Sequence, residues 1–227
     1  MCGRYALTSP PEVIAERFDL LWLPEVSAHY NIAPSQMIPV VRASGQEREL
    51  AFLKWGLIPS WAKDPAIGAK LINARAETLA DKPAFRNAFR RRHCLVPADA
   101  FYEWKAVGGR KQPYYVRMAD KTLFAMAGLR EHWVNPAGET VETCTIITMH
   151  ANELLGELHD RMPLIIEPGD YVAWLNSSSP EAQELLKPFP LERMSYYPVS
   201  TRVNSVRHDD AECLAPVERQ AAGQGPL

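Results

Sequence analysis

The spacing of apolar positions along this chain changes several times, and each change marks an element. Val13, Ile14 and Phe18 recur at helical spacing, and Ser9-Pro10-Pro11-Glu12 supplies the helix start. Met37 to Arg42 and Glu49 to Trp55 read as two strands around a Ser44-Gly45 turn. Phe85, Ala88 and Phe89 share one face of a helix expected from Asp81 to Arg92, with Asp81 as N-cap and Pro83 in the first turn. A run of strands follows, at Cys94 to Trp104, Pro113 to Met118, Leu123 to His132 and Glu142 to Met149. Gly108-Gly109 and Asn135-Pro136-Ala137-Gly138 separate them. Asn152 to His159 reads as a short helix and Leu164 to Glu167 as a strand. Gly169 to Leu175 and Pro180 to Lys187 read as helices, and Tyr196 to Val199 as a last strand. Strands in series with helices inserted irregularly predict an α+β fold rather than alternating βαβ units. Residues 217–227 are polar and contain Gly and Pro, so the expected domain is 1–216 with a loose tail behind it.

Composition narrows the class. The chain has 227 residues, 47% hydrophobic and 23% charged, enough for a full core in one large domain or two small ones. A net charge of −2 excludes a bulk polycation, so any hold on nucleic acid must come from a local patch. Cys2, Cys94, Cys144 and Cys213 are widely separated with no CxxC. That spacing supports neither a zinc site nor a disulfide framework, and the last three read as core thiols. No apolar run approaches the roughly 18 residues of a membrane span, and no signal-peptide pattern is present. The expectation is a soluble, cytoplasmic protein with reduced thiols.

The candidate chemistry begins at Cys2-Gly3-Arg4-Tyr5. Removal of Met1 leaves Cys2 with an α-amine and a thiol on neighbouring carbons, titrating near about 8 and about 8.5 in the absence of a fold. Such a 1,2-aminothiol condenses with an aldehyde to an imine, and the thiol then closes a thiazolidine ring. Gly3 allows close backbone approach, and Arg4 suits a phosphate or carboxylate. In Leu71-Ile72-Asn73-Ala74-Arg75-Ala76-Glu77, an extended chain turns Asn73, Arg75 and Glu77 to one face and Ile72, Ala74 and Ala76 to the other. Phe101-Tyr102-Glu103-Trp104-Lys105 sets one acid among three aromatics. Buried there, its pKa rises toward neutrality; facing solvent, it pairs with Lys105. His159-Asp160-Arg161-Met162-Pro163 places a histidine near a helix C-terminus, where an imidazolium is favoured. In Trp55-Gly56-Leu57-Ile58-Pro59-Ser60-Trp61, Trp55 reads as buried and Trp61 as exposed, able to stack on a base. Arg86, Arg90, Arg91, Arg92 and His93 are either a phosphate track or a solvated helix face. Asn31-Ile32-Ala33-Pro34 reads as a turn that shapes the pocket.

Together with Tyr30-Asn31-Ile32-Ala33-Pro34 and the late stretch Pro198-Val199-Ser200 to Val203-Asn204, these segments resemble SRAP proteins, the SOS-response-associated peptidases that process abasic sites. The likeness runs from Cys2 to about Pro216. It implies one α+β domain around a strongly curved, barrel-like, mostly antiparallel sheet with peripheral helices. It also implies a basic groove for single-stranded DNA, or a single-strand/duplex junction, carrying an abasic site. By that resemblance the Cys2 amine captures the ring-opened sugar, His159 donates the proton that opens the ring, Glu103 shuttles protons at the amine, and Asn73 orients the sugar or Cys2. Arg4, Arg75 and Arg161 then bind phosphates, Trp61 stacks at a duplex edge, and Asn31 and Pro34 border the DNA. No metal or cofactor is required, no membrane is involved, and a monomer working at the bacterial nucleoid is expected. Peptidase action on its own N-terminus belongs to the same implication. Two other classes compete. An N-terminal-nucleophile amidohydrolase also starts with Cys-Gly, but it needs an oxyanion hole often built from Asn-Gly, and this chain has no Asn-Gly. A non-covalent DNA-binding module makes no use of Cys2 at all.

Overall fold

The computed structural model describes residues 2–217. Its strands are β1 (Tyr5–Leu7), β2 (His29–Ile32), β3 (Met37–Ser44), β4 (Glu47–Trp55), β5 (Asn73–Arg75), β6 (His93–Ala98), β7 (Ala100–Val107), β8 (Arg110–Met118), β9 (Phe124–Val134), β10 (Thr140–His150), β11 (Arg161–Pro163), β12 (Ile165–Ile166) and β13 (Met194–Pro198). The helices are short and peripheral: α1 (Pro11–Phe18), α2 (Arg86–Arg91), α3 (Glu153–Gly156), α4 (Tyr171–Asn176) and α5 (Ser179–Glu184).

Five strands of the larger sheet close into a barrel. β3 pairs with β4 and β6, β6 with β9, β9 with β10, and β10 returns to β4. All but the closing pair are antiparallel; β10 meets β4 in parallel at Thr143↔Lys54 and Cys144↔Trp55. Closure removes the exposed edges that an open sheet must protect. It also puts both faces of the middle strands in contact with protein. Every residue of β6 is buried, which is why that stretch lacks a period of two. β5, β11 and β12 extend the barrel beside β10 and β9. The second sheet runs β13-β8-β7-β1-β2.

The chain crosses between the sheets at Asp99. Its carboxylate accepts the Thr8 and Ser9 backbone N–H groups at 2.5 and 2.7 Å, and its own N–H donates to the Ala6 carbonyl at 2.9 Å. The single strand expected from Cys94 to Trp104 is therefore two strands with one crossing residue. The helix expected from Asp81 to Arg92 is also shorter. The Phe85 and Arg86 N–H groups both reach the Lys82 carbonyl at 2.9 Å, a tight turn that delays α2 to Arg86, so Asp81 does not cap it. β1 and β2 were not anticipated; at three and four residues they are too short for their pattern to register. At Gly56, φ is +133° and a Cβ atom would sit 2.7 Å from the Gly68 carbonyl oxygen. Only glycine lets the chain leaving β4 lie this close to the segment that leads into β5. The tail expected over 217–227 lies, apart from Val217, outside the described residues. No helix among the described residues is long and apolar enough to cross a membrane.

Candidate active site and nucleic-acid interface

Cys2 precedes β1, the strand held between β7 and β2. Its side chain is fully buried, with Sγ 4.0 Å from Met126 Sδ on β9. Burial pushes the thiol well above its ordinary pKa, and the nearby Glu103 carboxylate raises it further. The thiol is thus neutral near pH 7, whereas the sequence alone placed both groups of the aminothiol close to titration.

Glu103 lies on β7 opposite Tyr114 of β8 and is 4% exposed. Burial raises its pKa, and a protonated imidazole at His159 would act in the opposite direction. Of the two environments open from the sequence, the desolvated one is realised. His159 follows α3 beyond its last turn. Its Nδ1 lies 3.0 Å from the Arg161 N–H and 2.7 Å from Asp160 Oδ1. The first contact suits an unprotonated Nδ1 and the second a protonated one, so the ring has a partner in either state. Arg4, Glu103, Trp104, Lys111, His159 and Asn204 line one cleft of about 420 Å³.

The rim of that cleft is braced from behind. Asn31 is 1% exposed. Its Oδ1 accepts from Arg4 Nη1 at 2.9 Å, and its Nδ2 donates to the Val203, Ser205 and His208 carbonyls at 3.2, 3.0 and 2.7 Å. Arg4 Nη1 also donates to the Val203 carbonyl at 2.8 Å, and Trp104 Nε1 to Asn204 Oδ1 at 2.7 Å. Asn31 is therefore a brace for the 203–208 loop and not an exposed DNA contact. The residues missed from sequence are Lys111 and Asn204. Asn204 lies in a quoted motif but offered no local chemistry, and Lys111 had no signal beyond being a lysine after a Gly-Gly turn.

A second hollow, of about 510 Å³, contains Trp61, Asn73, Arg75, Lys82 and Phe85. Trp61 is 56% exposed and Trp55 fully buried, as their contexts suggested. Asn73 Nδ2 donates to the Ile72 carbonyl at 3.1 Å, while its Oδ1 is buried without a hydrogen bond among the described residues. The row of Asn73, Arg75 and Glu77 breaks after Arg75, because a 3-10 turn begins at Ala76. Glu77 instead receives both Arg161 guanidinium nitrogens at 2.7 and 2.9 Å, and Arg161 Nη2 donates to the Thr148 carbonyl at 2.6 Å. With 7% of its side chain exposed, Arg161 is engaged in this bidentate pair with Glu77. Pro34 is half-buried in the turn before β3. In the Arg86–His93 cluster, His93 is buried between Phe89 and Trp174, and Arg92 is paired with Glu131. Arg86, Arg90 and Arg91 remain exposed. Cys94, Cys144 and Cys213 are buried free thiols.

A curved barrel with a buried N-terminal cysteine beside an acid–histidine cleft defines the class, and sequence comparison gives its membership. The family model described as SOS response associated peptidase (SRAP) matches residues 1–206, and the chain belongs to that family. It is 44% identical to the abasic site processing protein YoqW of Bacillus subtilis (strain 168), over 94% of this chain and 99% of that protein. It is 34% identical to the abasic site processing protein HMCES of Xenopus tropicalis, over 83% of this chain and 66% of that one. A crystal structure of a protein from Bacteroides thetaiotaomicron superposes with a TM-score of 0.85 at 29% identity, covering 96% of this chain and all of that one.

Proposed function

We propose that this protein processes abasic sites by capturing the ring-opened sugar aldehyde on Cys2 once Met1 has been removed. The observation that supports this reading is Glu103. It is a buried carboxyl, electrostatically coupled to both Cys2 and His159 and opening on the same cleft as His159 and Arg4. The chemistry balances without a co-reactant. The amine adds to C1′ and expels the carbonyl oxygen as water, giving an imine. The thiol then adds across C=N, sulfur to carbon and its proton to nitrogen, closing the thiazolidine. A neutral thiol fixes that order, because the amine is the stronger nucleophile until the imine stands beside it. His159 supplies the proton for sugar ring opening, and Glu103 carries protons to and from the amine nitrogen. Asn73 Oδ1, a buried acceptor, holds the sugar or the Cys2 amine in line. Arg4 and Arg75 face the flanking phosphates, Trp61 stacks on a base, and the substrate is single-stranded or junction DNA.

A denaturing gel of Met1-free protein with an abasic oligonucleotide tests the reading. A heat-stable shifted band is expected from the wild type and none from Cys2→Ala, which retains non-covalent binding. A correctly processed wild type that gives no band removes the crosslinking chemistry and leaves peptidase or amidohydrolase action at Cys2.

A further inference from the structure

Outside the cleft, the largest departure from an ordinary surface lies between α1 and β2. Leu21, Trp22 and Leu23 are consecutive and 61%, 83% and 62% exposed. Single exposed apolar residues are common, but three large ones in a row with a tryptophan at the centre are not. The segment is held outward rather than frayed. Asp19 ends α1 in the left-handed conformation at φ 53°, and the Leu20 N–H bonds the Ala15 carbonyl at 2.9 Å. Leu20 and Val26, on either side of the exposed tip, pack against the core, and Pro24 stiffens the return.

Between this loop and the β3–β4 hairpin runs a groove of about 350 Å³, floored by Leu50 and Phe52, with Phe52 itself 44% exposed. It shares no lining residue with the cleft that holds Glu103 and His159. Its lining is net acidic, with Glu25, Glu47 and Glu49 against Arg48. Glu25 and Glu47 are exposed on its rim, and Asp19 on the adjoining hollow. Arg42 is paired with Glu49 at 2.6 Å, while Arg48, which donates to the Phe18 carbonyl at 2.9 Å, keeps its charge, and Lys54 is exposed on β4 two residues beyond Phe52.

That charge pattern selects the occupant. A phosphate backbone or an anionic bilayer meets carboxylates of like sign. A two-fold pairing with a second copy brings two copies of the same net-acidic rim together. We infer that the groove docks a short segment of another protein, with apolar anchors that cover Trp22 and Phe52 and flanking Lys or Arg residues that meet Glu25, Glu47 and Asp19. Tryptophan at the centre of an apolar groove with a polar rim is the arrangement in which a few side chains carry most of the affinity.

A random-peptide phage library panned on the full chain, with the Trp22→Ser protein as counter-selection, tests this. The expected pool is enriched in peptides that join apolar residues to net positive charge. Titrated by calorimetry, these lose about tenfold or more in affinity to Trp22→Ser. They also weaken with added salt and with Glu47→Lys, while Cys2 chemistry and thermal unfolding stay at wild-type values. A neutral or acidic pool, no enrichment over the counter-selection, or equal affinity for Trp22→Ser overturns the inference. So does a concentration-dependent dimer in sedimentation velocity that Trp22→Ser abolishes, or binding to phosphatidylglycerol vesicles. The Glu47→Lys arm keeps the charge requirement testable if Trp22→Ser does not fold.

Discussion

Glu103 carries two opposing consequences on one side chain. Buried, its carboxyl holds its proton to higher pH than the same group does in an unfolded chain, where it titrates near about 4.3. Between those two values the folded protein binds the proton and the unfolded chain does not, so stability falls as pH rises through that window. Glu103→Gln keeps the shape and removes the titration. It is expected to melt higher than wild type at about pH 8 and nearly with it at about pH 4, with the gap closing as the pH is lowered, as read by thermal unfolding. The same variant is expected to slow crosslink formation by about tenfold to a hundredfold, because the proton carrier is gone. On the proposed chemistry, wild-type crosslinking is expected to fall on the acid side as Glu103 protonates, and the variant to lose the part of that limb that Glu103 sets. A variant that melts like wild type at both pH values, or crosslinks at full rate, contradicts this account. Three aromatics around one acid made the environment of Glu103 readable from the chain. Its closeness to Cys2 and His159 was not readable, since only the folded sheet brings positions 2, 103 and 159 together.

At the scale of elements, the break between β5 and its 3-10 turn sends neighbouring arginine-bearing segments to different tasks. Arg75 ends a strand and stays exposed beside Trp61, while Arg161 turns inward onto Glu77 and Thr148. Arg161→Gln leaves Glu77 and the Thr148 carbonyl without their donor, and a loss of about 2–4 kcal/mol in unfolding free energy is expected by denaturant titration. Arg75→Gln is expected to leave unfolding within about 0.5 kcal/mol and to weaken non-covalent binding of an oligonucleotide carrying a stable abasic analogue. Reversed outcomes for the two variants contradict the assignment. The sequence supplied the alternation of Asn73, Arg75 and Glu77 but not its interruption. A turn at Ala76 satisfies no local rule, and it carries Glu77 onto Arg161, far along the chain. The same holds at Asp99. Continuous β-forming residues on both sides hide a crossing that is fixed by the Thr8 and Ser9 amides.

For the whole molecule, the strand-rich order and the positions of β3, β4 and β8 to β10 could be read from period and turn residues, while barrel closure could not. Closure rests on two residue pairs of β10 and β4 that join distant stretches of chain, and short parallel contacts leave no mark on either sequence. Global stability also has an acid limit that belongs to no single element. His93 sits in the core against Phe89 and Trp174, and burial lowers its pKa to about 4. The folded state therefore resists a proton that the unfolded chain accepts near about 6.5, and stability drops by about 3 kcal/mol as pH falls from about 6.5 to about 4. His93→Phe keeps an aromatic ring there and is expected to flatten this slope in denaturant titrations; an unchanged slope assigns the acid limit to other groups. The placement of Cys2 has a mechanical side as well. Two residues, Gly3 and Arg4, separate it from Tyr5, a reach of about 10 Å over three fully extended steps. Tyr5 pairs on both sides, with Ile32 and with Phe101. If Cys2 captures an abasic site as proposed, the joined DNA strand would have almost no slack, and tension along it would fall on a strand paired on both sides. On that proposal, a translocating motor that meets the junction would have to pull out a strand held on both sides, and force-driven unfolding would become the route of removal.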